Sequence, residues 1–529
     1  MTEIRIYQDE ALRDDTDDAV EGVGIPLEWS ETMSCSTSTL PVFSPSGDLV
    51  ASVVDKTNIV VRNVDTLSVV SYVTCLSPPS YLEWSPNGAY ILACMPKRAA
   101  VSVFCVVSMS EEESSSSWMC SRTEPLAGVA YATWSPTGDH VFVVSEFQAK
   151  LALWSLKDSS CDYGVIRCPK FANSYGIGIS PDGRMVAVLV RKDCKDSVLL
   201  YGVGEWSLLA DVSIDTMNAA GMVWSPDSRY IAVWDAVYAG PRLVVVSQHE
   251  VVHTASWASQ SGLGIRTVQW SPSGHALAIG TYDTDVKLLN TVTWREMHVM
   301  KHGVVVDETS HPMVAAFVEV EQEAEATDSA EEEDVLDAYL RKSSAPKEES
   351  CYPSPKKSGA RSSLRSSNQR HPLNMSVDGA IAPTITTQYT ELSLPVKLPA
   401  PRVGSDEVNP PMGVQKLFWS PTGRFIASTC EDRPHVAWVW DACELVLDTV
   451  LIHMAPIRDF RWRPDESDTL YLVCGSRSVY IWGPQAATCV HVADEKFRGL
   501  NLQWSNNAKV LHACSKESFS CGFLESLAP

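Results

Sequence analysis

A chain of 529 residues with 65 Asp and Glu against 42 Lys and Arg has a formal net charge of −23, which argues against sequence-independent binding to nucleic acid or to an anionic membrane. The 15 cysteines are odd in number, scattered and never spaced as CxxC, which fits a reducing compartment better than a disulfide framework. The start, Met1-Thr-Glu-Ile-Arg-Ile-Tyr-Gln-Asp-Glu, lacks the apolar core of a signal peptide, and no apolar run approaches the ~18 residues of a membrane-spanning helix, so a soluble cytoplasmic protein is expected.

Residues 1–33 read as an acidic N-terminal arm. After it a short phrase recurs nine times: Phe43-Ser-Pro-Ser-Gly, Trp84-Ser-Pro-Asn-Gly, Trp134-Ser-Pro-Thr-Gly, Ile179-Ser-Pro-Asp-Gly, Trp224-Ser-Pro-Asp-Ser, Trp270-Ser-Pro-Ser-Gly, Trp419-Ser-Pro-Thr-Gly, Trp462-Arg-Pro-Asp-Glu and Trp504-Ser-Asn-Asn-Ala. The anchors lie 41, 50, 45, 45, 46, 149, 43 and 42 residues apart. In this phrase the anchor residue ends a strand and packs between sheets. Proline then fixes φ, and glycine tolerates the positive φ of the turn. Apolar strands follow, as at Leu49-Val-Ala-Ser-Val-Val, Met185-Val-Ala-Val-Leu-Val and Phe425-Ile-Ala-Ser. Further strands come some ten residues later, as at Ala437-Trp-Val-Trp-Asp, and a last one closes each unit, as at Trp206-Ser-Leu-Leu-Ala.

Four strands per repeat at this period predict an all-β fold, a β-propeller of WD40-like four-stranded blades with about nine repeats. A single nine-blade ring is favoured, and a seven-blade ring with extra units stays open. Repeats one to six occupy 34–300 and repeats seven to nine 413–529, with a mostly disordered charged insert at 301–412. The glycine-histidine and tryptophan-aspartate signatures of regular WD40 blades are nearly absent. Trp440-Asp441 is the one good match, so the histidine network of regular blades is not expected.

The insert has two halves of opposite charge. Glu319 to Asp337 contains ten carboxylates and no basic residue, whereas Arg341 to Arg370 carries eight Lys or Arg against Glu348 and Glu349. Such a composition cannot bury enough apolar surface to offset the entropy of ordering. Two islands, Val314-Ala-Ala-Phe-Val and Thr386-Thr-Gln-Tyr-Thr-Glu-Leu-Ser-Leu, are expected to be strands that finish the blades flanking the gap. Ser329 to Leu340 reads as a short helix with Val335, Leu336, Tyr339 and Leu340 on one side, either a transient helix in a solvated segment or a docking helix for a partner's groove. Ser354, in Ser354-Pro355-Lys356-Lys357, has the form favoured by proline-directed kinases.

His249-Glu250-Val251-Val252-His253 matches the HExxH pattern of zinc peptidases, which requires a helix so that both imidazoles reach one ion. Here the segment lies between predicted strands. In extended backbone the two imidazoles would stand about 13 Å apart, at ~3.3 Å per residue. With no Walker loop, nucleophile elbow or kinase set, no enzyme, metal or cofactor is expected.

In a propeller the connections between the second and third strands of the blades open onto one face. They contain Lys56, Lys97 with Arg98, Lys150, then Arg191, Lys192 and Lys195, and later Tyr282-Asp283-Thr284-Asp285 and Glu431-Asp432-Arg433. The first four blades thus place a basic sector on a strongly acidic protein, suited to an acidic partner: tubulin tails, a coiled-coil protein or the chain's own acidic arm. The bland reading is that exposed loops are simply charged.

At Arg191-Lys-Asp-Cys-Lys-Asp, with Trp206 after the next strand, the sequence resembles the WD repeat-containing protein 8 family. The likeness continues through Tyr72-Val-Thr-Cys-Leu, Asn290-Thr-Val-Thr-Trp294, Ala437-Trp-Val-Trp-Asp441 and Ala455-Pro-Ile-Arg-Asp-Phe-Arg-Trp462, from about residue 40 to 525. The N-terminal arm and the insert have no matching counterpart. The resemblance implies a non-catalytic scaffold of the centrosome, spindle pole or basal body. It also implies a coiled-coil anchoring partner, microtubule minus-end anchoring, spindle assembly and ciliogenesis. Further implied partners are a kinesin-14, as in fungal relatives, and γ-tubulin complex components. The alternative is a translation-initiation-factor-like propeller on the small ribosomal subunit, because such factors share Trp-Ser-Pro-x-Gly repeats.

Overall fold

A computed structural model describes residues 27–37, 39–106, 119–157, 162–257, 262–307, 314–323, 385–399 and 411–524. Nine antiparallel sheets of at least four strands follow one another around a ring, and a two-stranded sheet of Val305–Val306 with Val396–Lys397 accompanies them. The nine-blade reading is therefore the observed one. In blade one the strands run Val42–Phe43, Leu49–Val54, Asn58–Asn63 and Val69–Thr74 from the axis outward, and the other blades repeat this order.

Each residue of the recurring phrase has a mechanical role. The serine hydroxyl oxygen accepts the N–H five residues on, as from Tyr90 to Ser85 at 2.9 Å and from Met185 to Ser180 at 2.9 Å, which closes the turn. The glycine stands at positive φ, and its Cα faces the proline of the preceding blade's turn: a Cβ on Gly138 would lie 3.6 Å from Pro86. The anchor tryptophan donates its indole N–H to the preceding blade, to the carbonyl just before that blade's own anchor. Trp84 bonds Val42 at 3.0 Å, Trp134 bonds Glu83 at 3.2 Å, Trp224 bonds Gly178 at 3.0 Å and Trp462 bonds Phe418 at 3.0 Å. A hydrogen bond of this kind contributes about 1 kcal/mol, so the staple sets blade register more than it stabilises the ring. Burial supplies most of the stabilisation. Nine apolar clusters lie one at each blade junction, which makes stability a sum over neighbouring pairs.

Blade nine closes the ring. Its outermost strand is Leu27–Trp29, from the other end of the chain, paired with Ser518–Leu524. Where blade one offers Phe43 in place of tryptophan, the ring stacks on His512 of blade nine with centroids 3.7 Å apart.

Two expectations are corrected. The insert's strands, Ala315–Glu323 and Ile385–Glu391, do not finish the flanking blades, which already have four strands each. They form a hairpin that adds fifth and sixth strands to the outer edge of blade seven, with Ala315–Glu323 running parallel to Val446–Ile452. The anchor of this hairpin is Glu319, buried against blade eight. Its carboxylate accepts the hydroxyl of Tyr480 and the N–H of Met454 at 2.8 Å, and lies 3.6 Å from His453 Nδ1. The histidine network is also present, in blade seven. His302, reaching over from the end of blade six, bonds Ser428 Oγ at 2.8 Å, and Trp440 Nε1 donates to the same oxygen at 3.1 Å. The sequence hid it because the histidine precedes its glycine, as His302-Gly303, and lies beyond the insert from its partners.

Candidate functional site

Antiparallel alternation puts the second-to-third strand connections and the blade-to-blade connections on one face of the ring. Both sets contribute to the candidate docking face. Lys97 and Arg98 sit in the 3₁₀ turn Pro96–Arg98 of blade two, both exposed. Lys192 and Lys195 oppose each other across the blade-four hairpin, whose tip residues Asp193 and Cys194 have φ of 50° and 62°. None of these four cations is paired with a carboxylate among the described residues.

The other two basic residues of the sector are engaged. Lys150 Nζ lies 3.0 Å from Glu124. Arg191 is pinned by three partners: Asp196 at 3.0 Å, the side-chain oxygen of Asn218 at 2.9 Å and the carbonyl of Met217 at 3.0 Å. Asp196 is the hub of this arrangement. Its side chain is wholly buried and also accepts from Lys170 Nζ at 2.9 Å, Thr216 Oγ1 at 2.9 Å and the N–H of Ala219 at 2.8 Å. Burial alone would raise its pKa, yet these donors together hold the carboxyl below its ordinary value. Removing the acid would leave Lys170 buried without a counter-charge, so Arg191 is tied into a structural network and Lys150 is engaged by Glu124, whereas Lys97, Arg98, Lys192 and Lys195 are exposed without a carboxylate partner among the described residues.

The same face carries an element that charge counting passed over. Leu126 and Phe147 are 98% and 95% exposed, and Tyr238, Met217, Tyr175, Leu263 and Val237 are between 76% and 43% exposed. All lie in connections on this face rather than on strands. The available signal was apolar residues inside loops that are otherwise polar, as in Glu124-Pro-Leu126 and Glu146-Phe147-Gln148.

The HExxH segment is a turn followed by the outer strand Val251–Ser256, and His253 stacks on Trp294 with centroids 5.8 Å apart. Among the described residues no group of three His, Cys, Asp or Glu is placed to hold a metal ion. The docking helix of Val335, Leu336, Tyr339 and Leu340 and the phosphosite Ser354 lie outside the described residues, as does most of the charged insert.

Nine blades of at least four strands with a loop face of exposed apolar and basic side chains define a WD-repeat β-propeller, a class whose members typically serve as non-catalytic scaffolds. No family model matches the chain. Mouse WD repeat-containing protein WRAP73 is 32% identical over 502 residues, covering 94% of this chain and 96% of that protein. An uncharacterized WD repeat-containing protein of Schizosaccharomyces pombe, C32H8.09, is 20% identical over 523 residues, covering 94% and 93%. The chain belongs to the WD repeat-containing protein family. Among solved structures, the C-terminal WD40 domain of Sif2 covers 94% of this chain and 99% of its own at TM-score 0.46 and 10% identity. A eukaryotic initiation factor structure covers 90% of each chain at TM-score 0.48 and 12% identity.

Proposed function

We propose that this protein is a non-catalytic interaction scaffold at the centrosome, spindle pole or basal body, recruited by a coiled-coil partner. Its role there is in microtubule minus-end anchoring, spindle assembly and ciliogenesis, with kinesin-14 and γ-tubulin complex components as further partners. The observation that carries the reading is the relationship to a WD-repeat protein at 32% identity over 94% of this chain. The order of motifs from Tyr72 to Trp462 agrees with it. A rigid ring with an apolar and basic loop face is suited to holding partners in place.

Proximity labelling with tagged protein in dividing cells, imaged beside a pole marker, tests the proposal. Labelling of centrosomal or basal-body proteins, a coiled-coil protein foremost, is the expected result. A diffuse signal without pole components overturns it, and labelling of the small ribosomal subunit would instead place the protein with the initiation-factor-like propellers.

A further inference from the structure

Resting on the scaffold reading, we infer that the loop face over blades four to six is a docking site for an acidic amphipathic helix of the partner. Its apolar floor is Tyr175, Met217, Val237, Tyr238 and Leu263, and its basic rim is Lys192 and Lys195.

The floor draws on three inter-blade connections and on the blade-five turn Val237–Ala239. Tyr175 stands edge-on to Trp234 with centroids 6.1 Å apart. The side-chain amide of Asn218, next to Met217, donates to the hydroxyl of Tyr238. Gly264, next to Leu263, lies so close to Val237 that a Cβ there would come within 3.1 Å of its Cα. Aromatic residues and methionine beside cations make up the composition that dominates binding energy at interfaces.

A network rooted in the buried Asp196 ties the Met217 and Tyr238 loops together. Asp196 fixes Arg191, Arg191 bonds Asn218 and the Met217 carbonyl, and Asn218 meets Tyr238. The Met217 main chain and Tyr238 are therefore held in place before any partner arrives, which lowers the ordering cost of binding.

Charge selects the occupant. A protein of net charge −23 repels an acidic segment over most of its surface. Around this floor Asp215 is engaged by Arg242 and Asp283 by the N–H of Leu263, whereas Lys192 and Lys195, with Asp193 between them, have no carboxylate partner among the described residues, so an acidic segment gains at the blade-four end. Among the described residues these connections present no free strand edge, so strand addition is not the mode this site supports. A helix fits, because its i, i+3, i+4 and i+7 side chains make an apolar stripe about 10 Å long flanked by charge. Leu126 and Phe147, near Lys97 and Arg98, repeat the pairing of apolar and basic groups over blades two and three.

The test uses the full chain and two synthetic helices of about four heptads, with leucine at the apolar positions and either glutamate or lysine at the flanking ones. The acidic helix is expected to bind in a fluorescence-anisotropy titration, more weakly at high salt. The double variant Tyr238→Ser, Met217→Ser should lose binding by at least about tenfold. Lys192→Glu with Lys195→Glu should weaken it and reverse its salt dependence, because salt then screens repulsion instead of attraction. Lys509→Glu, in a turn on the opposite face, should change nothing. All these side chains are exposed, so the melting temperature of each variant should match the wild type and separate lost contact from lost fold. Equal binding of the basic helix, binding of neither helix, or unaltered binding by the apolar variant would each overturn the inference. In cells the two readings part. If wild type and apolar variant both reach the pole with the same partner, the scaffold stands and this docking site falls. If wild type never labels pole components, the scaffold reading falls while the titration still decides the site.

Discussion

The indole N–H of Trp419 donates to the main-chain oxygen of Gln269, 3.4 Å away, across 150 positions of sequence. Trp270 makes the same bond to Val223 at 3.3 Å across 47 positions. Blades six and seven therefore meet as ordinary neighbours, and the insert leaves the ring without parting it. Its hairpin shows where: Glu323 pairs with Ile385, so the two ends of the excursion lie side by side.

Replacing residues 324–384 with a four-residue turn is therefore expected to leave a folded propeller. Shortening that loop takes about four halvings, each worth about 0.6 kcal/mol of closure entropy, so stability should rise by up to about 2 kcal/mol. Thermal unfolding followed by near-ultraviolet circular dichroism checks this, and loss of a cooperative transition would show that the excised residues support the ring.

His512 is fully buried, and burial pushes its pKa down to about 3; His302 is pushed down to about 4 in the same way. The ordinary value is 6.5, so in the acid range the unfolded chain takes up protons that the folded ring refuses. Stability from these groups is complete above pH 6.5 and is lost as pH falls toward 4. Both ring nitrogens of His512 lack a partner among the described residues. His512→Phe would keep the stacking on Phe43 and is expected to raise stability at neutral pH by about 1 kcal/mol. It should also flatten the decline between about pH 6.5 and 4.5 in urea titrations.

Glu319→Leu is expected to cost about 3 kcal/mol, because it leaves the Tyr480 hydroxyl and the Met454 N–H buried without an acceptor. Burial alone would raise the Glu319 pKa, but its hydrogen bonds from His453, Tyr480 and Met454 outweigh burial and hold it below the ordinary 4.5. Its contribution is complete above pH 4.5 and lost below, as the folded group protonates, so wild type should lose its excess stability over Glu319→Gln only at more acid pH. Hydrogen exchange of the hairpin is the direct readout: it should accelerate in the leucine variant while blades one to four are unchanged.

Gly164 on the outer strand of blade three leaves an apolar slot of about 40 Å³ beside Trp206, lined also by Phe142, Leu153 and Tyr201. In the matching place of blade five stands His253, stacked on Trp294. A Cβ on Gly164 meets nothing within 4 Å, so Gly164→His should fill the slot and gain about 1 kcal/mol. A lower melting temperature would show that the slot is too narrow for a ring.

Much of this architecture was legible, for reasons that differ by residue. The Ser-Pro-x-Gly turn announces itself through local φ preferences, and apolar strands on either side complete a four-stranded unit. The same glycine also abuts the preceding blade's proline, and the tryptophan bonds a carbonyl about 45 residues back; period alone implies such contacts but does not name the partner atom. On the loop face, Arg191 and Lys192 look alike in sequence. One is pinned by Asn218 and Met217 of the next connection, and the other has no carboxylate partner among the described residues.

By itself the sequence determined the all-β class, the repeat and the existence of two strands within the insert, because each depends on backbone preference and apolar alternation within a few residues. Tertiary structure alone decided that the ring closes with Leu27–Trp29 on blade nine, that the insert's strands extend blade seven, and that exposed Tyr175, Met217, Tyr238 and Leu263 lie in connections on one face. Those outcomes depend on which side chains meet across blades, where a buried carboxylate such as Asp196 or Glu319 must find its donors in space rather than in sequence.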